Sequence, residues 1–288
     1  MKRRQFIQHA SAGLAFSLGL SWLQNSEVAQ AQAPQPTASG GITLTWLGHT
    51  CFLFEGGGQR VLVNPFQPMG CTAGYTAPQV SADYVLISSR QLDEGSVESI
   101  PGNPRLLSEP GAYRLGSNNQ IQGIRTDHDR LGGKRFGRNV AWRWNQNGVE
   151  ILHLGGLASE ISISQKILMG SPDILLIPVG GQQPPPGTSP YDSRWPEVYT
   201  PQEAKAAIEL LAPKLVIPTH YRTPAANPNA CDLVAIQDFV ALMANVPIRY
   251  STTNTLQMST GNLPSSLTLQ VLSDASLTAA TAHRPALA

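Results

Sequence analysis

Residues 42–66 read ITLTWLGHTCFLFEGGGQRVLVNPF. Three runs of strand length, ITLTW, CFLFE and RVLVN, are broken by Gly48-His49 and by Gly56-Gly57-Gly58. β-Branched and aromatic residues bounded by glycine turns read as strands in tight succession, so the chain opens as a meander of sheet. Working outward, DYVLIS at 83–88 is a further strand-like run. Residues 139–145 put Val140, Trp142 and Trp144 on one face and Ala141, Arg143 and Asn145 on the other, ahead of Asn147-Gly148 and the run VEILHL. An Asn-Gly pair between two such runs predicts a hairpin.

The second half has a different rhythm. The strand-like run DILLIPV at 173–179 is followed by Thr200-Pro201-Gln202-Glu203, the pattern of a capped helix start with proline in the first helical position. Ala204, Ala207, Ile208 and Leu211 then fall on one helical face. LVIPT predicts another strand, and a second helix is expected from Asp232, with Leu233, Ile236, Val240 and Met243 inward. LQMS and SLTLQVLS close the chain as strands. Strands first, then strands alternating with helices, imply an α/β domain of sheets covered by helices. The proline-rich connection at 181–199 has no periodicity and reads as either a lid or a tolerated insertion.

With 288 residues, 41% of them hydrophobic and 14% charged, the chain can build a core without covalent staples. A net charge of +1 with no run of one sign argues against nucleic acid as the main partner. Cys51, Cys71 and Cys231 form no metal-binding pair; Cys51 lies in an apolar strand, while Cys71 and Cys231 fall in loops and could pair.

Residues 1–31 read as an export signal. Lys2-Arg3-Arg4 precedes a short apolar stretch from Ser11 to Leu23, and Ala29-Gln30-Ala31 fits a cleavage site. With Phe6 two places after the arginines, the segment resembles the twin-arginine consensus, which implies a periplasmic or equivalent compartment in a bacterium; an uncleaved anchor is the alternative. Its removal leaves 17 basic and 18 acidic residues and no spanning segment. Residues 32–40 then form a tether, 41–273 one folded domain, and 274–288 a featureless tail.

Outside the signal and tail, the histidines are His49, His128, His153 and His220, each at or just past the end of a strand-like run. Ligand sites gather where strand ends meet loops, so the four suggest one pocket. Gly132–Arg138 is glycine-rich and basic but lacks phosphate-loop spacing, and reads as a flexible turn.

In their order, TWLGHTCFLFEGGGQRVLVNPF, DYVLISSRQLDEG, GIRTDHD, ILHLGG, LLIPVGG, PQEAKAAIELLAPK and VIPTHY resemble the metallo-β-lactamase superfamily, in particular its small metal-dependent hydrolases similar to ascorbate-phosphate lactonase. The resemblance implies an αββα sandwich with an active site along one edge, holding two zinc ions through an H-x-H-x-D-H signature. Here that signature is Ser89-Arg90-Gln91-Leu92-Asp93-Glu94. The family's bridging aspartate corresponds to Gly156 after His153, and its early Asp-Pro-Phe aspartate to Asn64. One ion position would map to Ser89, Gln91 and His128, poor zinc ligands apart from the imidazole. The other maps to Asp93, Glu94 and His220, a credible set for one zinc, manganese or iron ion. A dinuclear zinc centre is therefore not expected.

Two functions follow from the resemblance. The first is a non-catalytic binding module for a small molecule, free of metal, with Asp93 and Glu94 paired to Arg90 or Arg138. The alternative is a mononuclear hydrolase of a lactone, ester or phosphoester, with Asp93 and His128 as catalytic groups and His49, Asn64, Ser89, Gln91, His153 and Gly156 lining the pocket.

Overall fold

The computed structural model describes residues 40–115, 119–189, 192, 195–274 and 277. The stretch expected to be an export signal and nearly all of the expected tether and tail lie outside these residues. β1 (Gly41–Gly48), β2 (Cys51–Gly56) and β3 (Gln59–Val63) are the antiparallel meander read from residues 42–66. β4 (Tyr84–Leu86) and β5 (Arg105–Leu107) extend it in parallel, and β13 (Thr255–Ser259) closes the other edge against β1.

The second sheet contains β6 (Gly111–Leu115), β7 (Asn119–Asp127), β8 (Arg138–Gln146), β9 (Val149–His153), β10 (Ile174–Pro178), β11 (Leu215–Thr219), β12 (Ile248–Tyr250) and β14 (Thr268–Val271). Its order is β12-β14-β11-β10-β9-β8-β7-β6. The Asn147-Gly148 hairpin joins β8 to β9 antiparallel, and β9, β10, β11, β14 and β12 run parallel.

Because side chains alternate along a strand, the first sheet sorts its residues between two layers. Phe52, Phe54, Val61, Val63 and Leu86 join Trp142, Trp144 and Ile151 of the second sheet in the main core. Phe54 meets Trp144 edge-on with ring centroids 4.9 Å apart. Each such fully buried aromatic contributes about 2–3 kcal/mol. Cys51, Leu53, Leu62 and Val85 face outward onto Phe66, Tyr75 and Ala225.

The fold is thus the two-sheet α/β sandwich the sequence implies. Among the described residues the α-helices are α1 (Ile163–Met169), α2 (Pro201–Leu211) and α3 (Ile236–Leu242). α2 begins on the Thr200/Glu203 capping box and buries Ala204, Ala207, Ile208 and Leu211. α1 carries a second box, Ser162 with Gln165, and packs against β7 and α2. Among the described residues, the outer face of the first sheet is covered by connections and one 3₁₀ turn, Gly70–Thr72, rather than by an α-helix.

α3 starts four residues later than the sequence suggests. Ala235 bridges Arg222 and the Val234 N–H donates to Gly180 O at 2.7 Å, so residues 232–235 are held extended. Cys71 and Cys231 form a disulfide, tying the connection after β3 to the one after β11, while Cys51 is free and buried. No helix among the described residues is long and apolar enough to cross a membrane.

Candidate metal centre

Six strand ends deliver the residues that the sequence singled out. His49 occupies the β1–β2 turn, Asn64 follows β3, Ser89 to Glu94 follow β4, His128 follows β7, His153 ends β9 and His220 follows β11. His49, Asn64 and His220 adopt left-handed backbones, with φ of 53°, 50° and 54°. Such geometry disfavours a side-chain-bearing residue by about 1 kcal/mol and is held only where surrounding structure demands it. At His49 the demand includes Trp46, whose indole N–H donates to His49 O at 3.0 Å. At Asn64 the side-chain Oδ1 accepts the Ser88 backbone N–H at 2.8 Å, fixing the start of the segment that carries Asp93.

One donor atom from each of His49, Asp93 and His220 lies within 4.8 Å of the others. The two imidazole rings are 4.1 Å apart, centroid to centroid, and His49 Nε2 stands 3.6 Å from the Asp93 carboxylate, beyond hydrogen-bond length. His49 Nε2 and His220 Nδ1 are buried without a hydrogen-bond partner. Burial pushes the Asp93 carboxyl up, but the surrounding imidazoles of His49, His220 and His128 outweigh it and hold the group well below the usual carboxylate range. Burial, reinforced by His49, keeps the His220 ring neutral, its pKa well below the ordinary value. An anionic oxygen and two orphaned ring nitrogens, one of them on a neutral imidazole, make a donor set that fits a divalent cation.

Glu94 points elsewhere. Its Oε1 accepts from His128 Nε2 at 2.5 Å, and both side chains are buried. His128 Nδ1 donates to the Glu197 backbone oxygen at 2.8 Å. Burial alone would lower the His128 pKa, but the charge and hydrogen bond of Glu94 raise it to about 9, so at neutral pH the ring is an imidazolium donating from both nitrogens. His153 is the reverse case. Burial lowers it to about 4, and the neutral ring donates from Nε2 to Thr50 O at 3.0 Å and accepts the Gly155 N–H at Nδ1, 3.1 Å away.

The remaining candidates are occupied with one another. Ser89 Oγ accepts the Gln91 N–H at 3.1 Å, and Gln91 Nε2 reaches Glu197 Oε2 at 3.4 Å and Phe136 O at 3.5 Å. The Gly156 N–H donates to Asn139 Oδ1 at 3.0 Å, and a Cβ built at Gly156 would lie 2.2 Å from His128 Nε2. Ser89, Gln91 and His128 therefore each have a hydrogen-bond partner within the chain.

Several sequence expectations change. Asp93 and His220 do come together, but their third partner is His49, not Glu94. Arg90 and Arg138 both pair with Glu109 instead of with Asp93 or Glu94. Sequence reading missed Glu197, Asn139 and Asp129. The Asp129 carboxylate gathers the backbone N–H groups of Leu131, Gly133, Arg135 and Phe136, so the glycine-rich turn is a pinned loop. The signal for His49 was present in its place at a strand end; the other three carried none.

Residues 43–220 match the family model of the beta-lactamase superfamily domain. The chain belongs to the beta-lactamase superfamily. Relatives of this superfamily member include UPF0173 metal-dependent hydrolases from Methanoregula boonei and Heliobacterium modesticaldum. They are 28% and 24% identical over 206 and 214 residues, covering 62% and 63% of this chain and 82% and 83% of theirs. A Thermotoga maritima structure, assigned as a zinc-dependent hydrolase of the metallo-beta-lactamase superfamily, superposes with a TM-score of 0.59 at 27% identity, over 81% of this chain and all of the other.

Proposed function

We propose that the protein is an exported, mononuclear metal-dependent hydrolase whose ion is held by His49, Asp93 and His220. The observation that carries this reading is the pair of orphaned, buried ring nitrogens facing a carboxylate held in its ionised form. It is favoured over a metal-free module because no arginine among the described residues pairs with Asp93, and because two unsatisfied buried donors or acceptors would otherwise each be destabilising by about 1–3 kcal/mol.

A divalent zinc, manganese or iron ion bound there supplies Lewis acidity toward a carbonyl or phosphoryl group. The chain supplies the rest. Asp93 contributes the anionic donor, His220 a neutral imidazole, and His153 holds the Thr50 backbone beside His49. Glu197, whose backbone oxygen meets His128, lines a cavity of about 690 Å³ together with Arg135, Phe136, Gln182, Trp195 and Asp232. Burial raises the Glu197 carboxyl above its ordinary value, the direction that favours a proton-donating group. A small lactone, ester or phosphoester suits that volume. The Cys71–Cys231 disulfide supports passage to an oxidising compartment.

Elemental analysis of exported protein purified without chelator tests the proposal. About one equivalent of ion is expected, falling below about a tenth in Asp93→Ala and His49→Ala, with loss of any lactone or ester hydrolysis. Full ion content in His49→Ala, or none in the wild type, would refute the assignment.

A further inference from the structure

We propose that the buried, hydrogen-bonded His128–Glu94 pair, seated on Gly156, takes the place of a second cation, so that the chain fills with its own side chains a position that a second ion would otherwise bridge. This deepens the single-ion reading and shares its site, but the pair stands on separate observations.

The first concerns donor atoms. Of the three residues that map to a second ion position, His128 is the one imidazole, and its Nε2 lies 2.5 Å from Glu94 Oε1. Nδ1 is engaged with Glu197 O at 2.8 Å, so Nε2 is the one ring nitrogen that could face a metal, and the Glu94 carboxylate takes it up. The second concerns space. A Cβ at Gly156 would fall 2.2 Å from His128 Nε2 and 2.9 Å from Glu94 Oε1, far inside van der Waals contact. The pair and a carboxylate side chain at residue 156 are therefore mutually exclusive, and glycine is the residue that admits the pair.

The third concerns connectivity. His128 follows β7 of the second sheet, Glu94 belongs to the segment after β4 of the first, and Glu197 lies on the connection into α2. One imidazole ring thus ties three separate stretches of chain, as a coordinated ion would. Both side chains of the pair are essentially inaccessible to water. Desolvation of such a pair is compensated only by good geometry and further hydrogen bonds; the short contact and the Glu197 carbonyl satisfy both ring nitrogens, while Glu94 Oε2 is buried without a partner.

The test uses ¹⁵N-labelled full-length mature protein titrated with zinc, with ions counted by native mass spectrometry and imidazole N–H groups followed by proton–nitrogen correlation. His128 signals are assigned by their disappearance in His128→Gln. One bound zinc with both His128 ring N–H signals retained supports the proposal. Retention of both signals with no zinc bound also supports the pair, while refuting the single-ion hydrolase. Binding of zinc that abolishes the Nε2–H signal overturns the pair, whether one ion enters or two. Gly156→Ala provides a second reading, since its methyl must displace the ring and shift or remove the Nε2–H signal. An unchanged signal in that variant would overturn the seating on Gly156.

Discussion

Replacing both members of the buried pair by their neutral isosteres, Glu94→Gln with His128→Gln, should remove one specific pH dependence of stability and little else. In the folded protein Glu94 holds the His128 pKa up at about 9, against an ordinary value of 6.5. A histidine whose folded pKa is raised stabilises fully below pH 6.5 and loses that contribution as pH rises through 9. Each tenfold change in proton affinity between the folded and unfolded chains is equivalent to about 1.4 kcal/mol, so the wild type should lose about 3 kcal/mol across this window that the double variant keeps. Because the two proteins share every other titrating group, their difference isolates the pair. Urea unfolding at half-unit steps from pH 6 to 9.5, with chelator present and the disulfide intact, measures it. The gap between the proteins should narrow steadily with rising pH. A gap constant to within about 0.5 kcal/mol would show that His128 is neutral in the folded state and would refute the ion-pair description.

On the acid side the opposite slope is expected from His153, whose pKa burial lowers to about 4. Its contribution is present above pH 6.5 and lost as pH falls toward 4, about 3 kcal/mol in all, so His153→Gln should flatten that limb of the unfolding profile. Removing the disulfide with Cys71→Ser and Cys231→Ser opens a loop with a sequence separation of 160. The chain-entropy relation gives a loss of about 5 kcal/mol as an upper figure, read as a lower urea midpoint; a shift under about 1 kcal/mol would mean that the loops stay docked without the bond. Asn139→Ala severs bonds to Thr126 Oγ1, Leu154 O and the Gly156 N–H. It should cost about 2–4 kcal/mol in chemical denaturation and loosen zinc binding, and an effect on neither would dismiss Asn139 as the anchor of the cleft floor.

The frame was readable because its signals are local. Alternation in ITLTW, CFLFE and RVLVN, the Asn147-Gly148 turn and the Thr200/Glu203 box act within a few residues, and each appears where the pattern puts it. The start of α3 was misjudged because the competing influence, pairing of residues 234–235 with Gly180 and Arg222, comes from distant chain. At the site, spacing placed Asp93 and Glu94 side by side as ligands, yet neighbours in sequence diverge in space. Glu94 turns inward to His128, which lies 34 residues on, and Asp93 turns to His49. No linear motif encodes that choice; it depends on the room left at Gly156.

The left-handed turns at His49, Asn64 and His220 carry a consequence for how this protein balances endurance against chemistry. Glycine would sit in each turn more comfortably, so the scaffold gains nothing in ruggedness from the histidines at 49 and 220. Their presence sets the cleft against the interests of the fold around it. His49 and His220 are the residues of this molecule that heat resistance, taken as the sole criterion, would discard first.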